Sequence, residues 1–326
     1  MQSIYKPSKG SLARRIIRAF QLLCKGVSYL RLPDRNKTND VVFFVIDPHY
    51  QQGGFADRIK AIVSIYYISK INGFKYSLYF EHPFSLSRYL LPNKVNWKCS
   101  LDDLNHSICA SKLSVFQASY PIPSLKSGYQ YHYYWYSGSD IIRLESTLEN
   151  KECAEEWWHR SFRECYNELF TPSGYLKSLI EGIHLQERTY ISVHFRFVNL
   201  LGDTEGNLLR FPVLEGKDRK DLINRCLSQL SSIADHNTNT PLYVFSDSSP
   251  FLRLCENKGY RVIKGELIGN IAHSHSLEIA DKTLLDFYVI GRSQKVYSVV
   301  LPGMYSGVFS QYAAIIGGAI FERITE

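Results

Sequence analysis

The amino-acid sequence predicts an α/β protein in which parallel strands alternate with helices. Residues 189–199 form a β-branched and aromatic run with few polar interruptions, which is typical of a strand buried in a parallel sheet. Residues 41–47 form a second run of this kind. A helix from about Ala56 to Ile71 and a strand at 74–80 complete a parallel βαβ unit.

The same alternation continues to the end of the chain and indicates a Rossmann-like sheet. We predict helices at 220–234, 250–257, 282–291 and 306–316, and strands at 241–247, 260–264 and 296–301. Residues 296–321 carry no charge over a length that would suit a membrane span. Pro302, several glycines and the polar Ser306, Ser310 and Gln311 favour a buried strand and helix there instead.

A chain of 326 residues is long enough for two domains, each with its own core. The helix-breaking Gly182 and the polar run after it predict a boundary near residue 186. We therefore predict an N-terminal segment at 1–40, one Rossmann-like domain at 41–185 and a second at 186–326. Residues 82–185 are less regular, with helices predicted at 155–170 and 173–183.

The composition, with 45% apolar and 21% charged residues, is that of a soluble globular protein. Its seven cysteines are odd in number and never spaced as C-x-x-C. This pattern argues against a disulfide framework or a thiolate zinc site and favours a reducing compartment. We therefore expect a cytoplasmic protein.

The positive charge is unevenly placed. Residues 1–40 contain nine Lys and Arg against two Asp, which accounts for the whole net charge of +7, so residues 41–326 sum to zero. A neutral body does not fit a nucleic-acid-binding protein, whose basic residues spread over a binding face. We predict no nucleic-acid partner.

The N-terminal segment carries an apolar stripe. On a helical wheel of about 100° per residue, six apolar residues share one face and three basic residues share the other: Leu12, Ile16, Phe20, Leu23, Val27 and Leu30 against Arg14, Arg18 and Lys25. Charge interrupts the segment too often for a signal peptide or a spanning helix. Two interpretations stay open: residues 10–31 adsorb to an anionic membrane surface, or the helix packs on the domain with its polar face solvated. Residues 32–40 are predicted to be a linker.

His194 and Arg196 lie near the end of the strand at 189–199, and ligands of open α/β sheets bind beyond the carboxyl ends of the strands. A buried arginine needs an anionic partner, because an unpaired charge in a low dielectric is costly. That partner is either a phosphate or a carboxylate inside the fold. By the same logic, His194 is either a ligand-binding residue or a hydrogen-bonded histidine of the core.

Gly53 and Gly54 lie between the first strand and the first helix, where backbone N–H groups can approach a diphosphate closely. The common nucleotide fingerprints G-x-x-x-x-G-K-[ST] and G-x-G-x-x-G are both absent. A tight strand-to-helix turn also explains the pair.

The aromatic run at 129–136 has two interpretations as well. Tyr131, Tyr133 and Trp135 can form an acceptor platform on which sugar faces stack, or they belong to a half-buried strand.

Five short motifs occur in a fixed order along the chain. They are G-G-F-A-D-R at 53–58, H-F-R at 194–196, S-D at 246–247, D-F-Y-V-I-G-R-S at 286–293 and S-G-V-F-S at 306–310. Together they resemble the fucosyltransferase superfamily, which includes α1,2-, α1,6- and protein O-fucosyltransferases and the nodulation fucosyltransferases. The resemblance runs over most of residues 41–321. Many relatives have a second arginine and an acid after H-x-R, where this chain has Phe197 and Asn199.

This resemblance implies a GT-B fold, in which two Rossmann-like domains face each other across a cleft and the C-terminal one holds GDP-fucose. It also implies an inverting reaction without a metal or other cofactor. The residues agree on the metal, since no D-x-D pair stands at a strand end. Asp203-Thr204-Glu205 has a similar spacing but lies in a glycine-flanked loop, where a solvated turn is expected.

The chemistry of such a donor assigns roles to the candidate residues. Departure of GDP places negative charge on the β-phosphate, so fixed cations and N–H donors stabilise the transition state. Arg196 offers a planar fork of donors for this purpose. The hydroxyl of Ser306 or Ser310 and the amides of Gly53 and Gly54 can complete the site.

The resemblance also places Asp286 against guanine, whose N1–H and N2–H₂ a carboxylate can accept together. It adds His194, Ser246 and Asp247 to the donor site. Asp57 is the candidate general base, with a salt bridge to Arg58 or a charge at a helix N-terminus as alternatives.

We therefore predict transfer of fucose to a glycan hydroxyl, on a surface polysaccharide or a lipid-linked oligosaccharide. The alternatives are a GT-B transferase that uses another sugar nucleotide and a catalytically silent glycan- or nucleotide-binding protein of the same fold.

Overall fold

Two parallel sheets, one in each half of the chain, organise the structure. The computed structural model describes residues 23–48, 53–117, 122–137, 140–149, 151–202, 212–265 and 276–325, and the side chains of 114–117 and 135–137 lie outside that description.

The first sheet belongs to the N-terminal half. Its strands are β1 (Val41–Ile46), β2 (Lys75–Phe80), β4 (Ser111–Gln117) and β5 (Gln130–Ser137), and α1 (Phe55–Ile71) connects the first two. All neighbours are parallel in the order β2-β1-β5-β4. β1 lies inside the sheet and is buried along its whole length, as its apolar sequence predicted.

Residues 82–185 contain more regular secondary structure than their sequence suggested. A two-stranded antiparallel sheet joins β3 (Leu90–Pro92) to β6 (Phe170–Pro172). The helices of this region are α2 (Ile141–Leu148), α3 (Ala154–Leu169) and α4 (Gly174–Glu181). Only α3 and α4 were predicted, because three-residue strands and an eight-residue helix offer little periodic pattern.

The second sheet has the order β11-β10-β7-β8-β9, again with all neighbours parallel. Its strands are β7 (Ile191–Phe195), β8 (Leu242–Ser246), β9 (Arg261–Val262), β10 (Lys295–Val299) and β11 (Ile320–Ile324). The helices of this half are α5 (Gly216–Asp235), α6 (Ser249–Asn257), α7 (Leu277–Arg292) and α8 (Phe309–Gly317). The predicted strand at 189–199 forms the centre of the sheet as β7 and is buried throughout.

Helices α7 and α8 cross so closely that glycine is required at the contact. A Cβ on Gly291 would lie 2.6 Å from the carbonyl oxygen of Ala313, and one on Gly317 would collide with the backbone of Gly291. Arg188 donates to the carbonyl oxygens of Gly291, Ser293 and Gly317. Its positive charge therefore stabilises the C-terminal ends of both helices.

The two halves share an apolar core. The largest cluster combines residues of β1, α1 and α3 with residues of α7 and α8, while a separate cluster fills the other face of the second sheet. Polar contacts also join the halves, among them Tyr312 Oη to Asp140 Oδ2 at 2.9 Å, Tyr89 Oη to Asp281 Oδ1 at 2.6 Å, and Tyr166 Oη to Tyr288 Oη at 2.5 Å. The domain boundary at residue 186 stays a prediction.

Residues 1–22, which include most of the predicted amphipathic helix, lie outside the described residues. Residues 23–27 are helical, and 32–40 form neither helix nor strand, as expected of a linker. Among the described residues, every helix is too short or too polar to cross a bilayer. The chargeless stretch 296–321 contains β10 and α8, which confirms the predicted strand and helix.

Candidate functional site

Arg196 follows β7 directly and contacts Asp247, which follows β8. Arg196 Nη1 lies 3.0 Å from Asp247 Oδ2. The same carboxylate accepts the backbone N–H groups of Phe197 and Val198, each at 2.8 Å, and so fixes the turn in which Val198 has a φ of 57°. Burial raises the pKa of Asp247, and Arg196 and the two amides oppose that rise. Of the two anionic partners that the sequence allowed for Arg196, a carboxylate inside the fold is therefore present. A quarter of the Arg196 side chain, 26%, stays exposed.

His194 is buried in β7, and its ring lies 5.8 Å from the ring of Phe309, the first residue of α8. Burial and the charge of Arg196 lower its pKa to about 3. The imidazole is therefore neutral near pH 7 and can both donate and accept a hydrogen bond. It makes no hydrogen bond to any residue that the structure describes, so it is not a satisfied histidine of the core.

The start of α8 brings polar groups to the same place. Ser310 is fully buried at the second position of the helix, and its Oγ has no partner among the described residues. Val308 provides no side-chain cap, so the N–H groups of the first turn lack a partner within the helix. A Cβ on Gly307 would lie 3.5 Å from Arg196 Cγ. The segment that leads into α8 thus contacts both Arg196 and His194.

The other two serine candidates lie in different surroundings. Ser306 is exposed in the loop before α8, which begins three residues later than predicted, at Phe309. Ser246 is buried at the end of β8, and its Oγ accepts the backbone N–H of Ser248 at 3.1 Å. Ser246 therefore stabilises the turn into α6.

The glycine turn at the start of α1 is shaped by its own helix. A Cβ on Gly53 would lie 2.8 Å from Asp57 Cβ, so only glycine leaves room for that side chain. Asp57 Oδ1 accepts Lys60 Nζ at 2.8 Å, and the Asp57 side chain is 40% exposed. The predicted alternative partner, Arg58, instead donates from Nε to the carbonyl oxygen of Gly53 at 3.0 Å and from Nη1 to that of His82 at 2.6 Å.

Arg58 is buried without a carboxylate partner among the described residues, and its Nη2 makes no hydrogen bond there. Burial lowers its pKa to about 10, so it remains charged near pH 7. Two carbonyl contacts and a buried charge make Arg58 the residue that fixes the backbone of the glycine turn.

A series of ring contacts joins these pieces. Phe55, next to Gly54, meets Phe287 edge-on with the ring centroids 5.1 Å apart. Phe287 meets Phe309 at 5.2 Å, and Phe309 meets His194 at 5.8 Å. Three successive ring contacts therefore connect the glycine turn of the first half to the strand end of the second half.

Asp286 lies beside that series on α7 and is buried. Lys282 Nζ, also buried, lies 2.5 Å from both carboxylate oxygens. Burial raises the pKa of Asp286, and Lys282 opposes this. Each oxygen has a second lone-pair direction, so the carboxylate can accept further hydrogen bonds while it keeps Lys282. A side chain on Gly265 would collide with Lys282, since its Cβ would lie 2.6 Å from Lys282 Cδ.

The predicted acceptor platform lies within the first sheet. Tyr133 is buried in the shared core and offers no face to a sugar. Tyr131 packs edge-on against Phe74 at 5.6 Å and accepts the backbone N–H of Lys126 at 2.7 Å. The side chain of Trp135 lies outside the described ones. The positions of Tyr131 and Tyr133 therefore favour the interpretation as a half-buried strand over that as a stacking surface for sugars.

Sequence reasoning missed Lys60 and Lys282, the cations that hold Asp57 and Asp286. Their spacings, i+3 from Asp57 to Lys60 and i+4 from Lys282 to Asp286, are those at which helical side chains meet, so the signal was present in the sequence. Among the described residues, no three His, Cys, Asp or Glu side chains are grouped so that they could hold a metal ion. Asp203 and Glu205 lie outside those residues.

This chain resembles known proteins in its three-dimensional structure but not detectably in its sequence. No family model matches the sequence, and no curated protein matches it. A variant of Arabidopsis thaliana FUT1 in complex with GDP is 12% identical, with a TM-score of 0.54 over 98% of this chain and 80% of that one. The fucosyltransferase NodZ from Bradyrhizobium is 13% identical, with a TM-score of 0.46 over 83% and 91% of the two chains. The first likeness confirms the predicted fold class: this chain has the GT-B-like α/β fold of a fucosyltransferase.

Proposed function

We propose that this protein is an inverting, metal-independent glycosyltransferase that moves fucose from GDP-fucose to a hydroxyl of a glycan. One observation carries the proposal: unsatisfied hydrogen-bonding groups meet at the start of α8. They are the buried hydroxyl of Ser310, the first N–H groups of the helix and the ring of His194, with the guanidinium of Arg196 beside them. A helix N-terminus and an arginine together form a site for a diphosphate.

The reaction follows from where these groups lie. The acceptor oxygen attacks C1 of fucose from the face opposite GDP, the bond from C1 to the β-phosphate oxygen breaks, and its electron pair stays on the phosphate. Negative charge therefore grows at the start of α8, where Arg196 and the N–H groups stabilise it most in the transition state. Because His194 is neutral near pH 7, it donates one hydrogen bond to the diphosphate and adds no charge.

Asp57 is the proposed general base that takes the proton of the acceptor hydroxyl. It lies at the start of α1 beside the glycine turn, and it is exposed enough to meet an acceptor. Lys60 holds the carboxylate in one orientation through the 2.8 Å contact. The amides of Gly53 and Gly54 border the sugar from the same side.

Asp286 is the proposed partner of guanine, and the charge of Lys282 favours the ionised form of its buried carboxylate against the effect of burial. An ionised carboxylate accepts both N1–H and N2–H₂ of guanine, whereas adenine and the pyrimidines present no such pair of donors. The base would therefore be recognised on α7 and the diphosphate on α8. The close crossing at Gly291 and Gly317 fixes the distance between the two helices.

The proposed acceptor is a hydroxyl of a surface polysaccharide or of a lipid-linked oligosaccharide. All seven cysteines are described and each is a free thiol, which is compatible with the cytoplasm as the compartment that we propose.

Ligand-induced stabilisation tests the donor. We expect GDP to raise the melting temperature more than UDP, ADP or CMP at equal concentration, because a ligand that binds only the folded chain stabilises it by about 2.7 kcal/mol at a hundred times its Kd. Slow hydrolysis of GDP-fucose without acceptor should accompany binding and would separate an enzyme from a silent binding protein. Stabilisation by UDP or ADP in place of GDP would redirect the proposal to another sugar nucleotide.

Arg196 tests the chemistry. Arg196→Lys keeps a cation beside Asp247 but loses the planar fork, and Arg196→Ala also leaves that buried carboxylate unpaired. We expect both to lower turnover roughly 10²–10³-fold per folded molecule, with a lower melting temperature mainly in Arg196→Ala. Arg253, which is exposed on α6, supplies the matched control Arg253→Ala. Normal turnover in both Arg196 variants, with only the melting temperature changed, would leave Arg196 a structural residue and remove the main support for the transferase.

A further inference from the structure

The N-terminal segment presents its apolar side chains to solvent. Residues 23–27 are helical, and Leu23 and Val27, one turn apart, are 70% and 66% exposed. Leu30 and Leu32 continue the surface at 68% and 91%. We call these four residues the N-terminal apolar surface. Single exposed apolar side chains are ordinary, but four within ten residues on one segment are typical of an interaction site.

The opposite side of the same segment is fixed to the body of the protein. Tyr29 is buried, and its hydroxyl lies 2.5 Å from His132 Nδ1 and 2.9 Å from Tyr134 Oη. Lys25 Nζ lies 4.3 Å above the ring of Tyr134. A helix that simply covered the domain would bury its apolar side, yet here the aromatic and basic side packs inward. The orientation of the N-terminal apolar surface is therefore set by buried hydrogen bonds.

Positive charge accompanies the exposed apolar side chains. Arg31 is exposed between Leu30 and Leu32. Burial, and then the positive charges of Lys25, Arg31 and Lys37, lower the pKa of His106, so these cations lie near one another. Residues 1–40 hold the entire net charge of the chain.

We propose that the N-terminal apolar surface adsorbs to an anionic lipid bilayer, with its leucines and valine at the level of the headgroups and the exposed Arg31 and Arg35 against lipid phosphates. Apolar side chains flanked by cations are the combination that such an interface binds. Each Lys or Arg near an anionic surface raises partition about fivefold, so a few suffice for measurable binding. A second copy of the chain is a poor occupant, because pairing would bring two segments of the same positive charge together.

Flotation of the full chain with vesicles tests this surface. We expect binding to vesicles of phosphatidylcholine with phosphatidylglycerol and little binding to phosphatidylcholine alone. Val27→Glu combined with Leu30→Glu should reduce binding more than tenfold, an order-of-magnitude expectation for losing apolar insertion. Leu148→Glu, at an exposed leucine at the end of α2, is the matched control and should bind as the unaltered chain does.

The contribution of charge is tested separately. Arg31→Ala with Arg35→Ala, at two exposed arginines, should weaken binding roughly twentyfold, and less at high salt, whereas Lys258→Ala, at an exposed lysine of the other half, should have little effect.

Equal binding to neutral and anionic vesicles, or none, would overturn the proposal. A concentration-dependent dimer in light scattering that Val27→Glu with Leu30→Glu abolishes would show that a second copy occupies the surface instead. Hydrolysis of GDP-fucose by the surface variants should be unchanged, so failure here would leave the proposed activity standing.

Discussion

Two buried histidines, one in each sheet, have similarly lowered pKa values but differ in their hydrogen bonds. His132 on β5 is fully buried, and His194 on β7 is 7% exposed. Burial is the main cause that lowers the pKa of each to about 3. His132 has a partner at both ring nitrogens, with Tyr29 Oη at 2.5 Å and Gln130 Oε1 at 2.7 Å. His194 has no hydrogen bond to the described residues.

This contrast separates what a residue does for the fold from what it offers a ligand. Burial and a shifted pKa are common to both histidines, so neither property identifies a site. The hydrogen bonds do, because a buried polar group without a partner is costly and is retained where a ligand supplies the partner. By that criterion His132 holds the N-terminal segment on the first sheet, whereas His194 keeps both ring nitrogens for a ligand, as the proposed donor site requires.

The largest expected effect concerns Asp286, which does not fit the contrast between the histidines. Its carboxylate already has a partner in Lys282, and yet we propose that it binds guanine. Asp286→Asn leaves Lys282 as a buried unpaired charge and should lower the free energy of unfolding by about 3–5 kcal/mol. Asp286→Leu combined with Lys282→Met should recover most of this, because an apolar pair replaces the ion pair. We expect the double variant to bind GDP about 1–3 kcal/mol more weakly in calorimetry, the cost of guanine donors left unpaired. Unaltered GDP affinity in that folded variant would make Asp286 structural, like His132.

The next effect concerns His132. His132→Phe keeps a ring of similar size but leaves the hydroxyl of Tyr29 and the amide oxygen of Gln130 without this partner. We expect the free energy of unfolding to fall by about 2–4 kcal/mol, from one to two lost buried hydrogen bonds. Denaturant titration measures this, and GDP affinity should stay within twofold, as order-of-magnitude limits. A loss of GDP affinity in the folded variant would contradict a purely structural role.

His194→Phe is the matched change in the other sheet. The ring can keep its packing against Phe309, and no hydrogen bond within the described residues is lost. We expect the free energy of unfolding to change by less than about 1 kcal/mol and GDP binding to weaken by about 1–3 kcal/mol. The opposite pattern, an unstable protein with normal GDP affinity, would reverse the assignment of the two histidines.

The smallest effect is a dependence on pH. Below about pH 6.5 the unfolded chain binds a proton on each histidine, whereas the folded chain does so only near pH 3. Each histidine therefore stabilises the folded state above pH 6.5, and that contribution decreases as the pH falls towards 3. From about pH 6 to about pH 5 the loss is roughly 1 kcal/mol per histidine.

Saturating GDP distinguishes the two contributions. A diphosphate beside His194 favours its protonated form, so GDP should reduce the part of the pH dependence that His194→Phe removes. The part that His132→Phe removes should be the same with and without GDP. Equal sensitivity of both parts to GDP, measured by thermal unfolding across this pH range, would contradict the placement of His194 at the diphosphate.

The sequence was sufficient for the elements that are apolar throughout. β1 and β7 are buried runs, and the structure places each inside its sheet. β3 and β6 were missed because three residues carry no periodicity, and β11 because it alternates apolar residues with Glu322 and Arg323 near the end of the chain.

For the site, the sequence identified residues but not their partners. His194, Arg196 and Ser310 were predicted as candidates because their motifs stand at strand ends and helix starts. Ser310 is buried and Ser306 is exposed because α8 begins between them, at Phe309. The glycine at 307 gives no local sequence signal for where the helix begins. The contact of Arg196 with Asp247 joins residues 51 positions apart, which no local spacing encodes.

Helix α8 has a further consequence for how this molecule moves. Its first turn borders the proposed diphosphate, while Tyr312, one turn later, is hydrogen-bonded to Asp140 in the other half and packs on Phe162 and Trp158. A nine-residue helix leaves no length for a hinge between those contacts. Donor binding is therefore expected to slow amide hydrogen exchange in β1 and β7 together, as a single rigid body does, and not to swing one sheet towards the other.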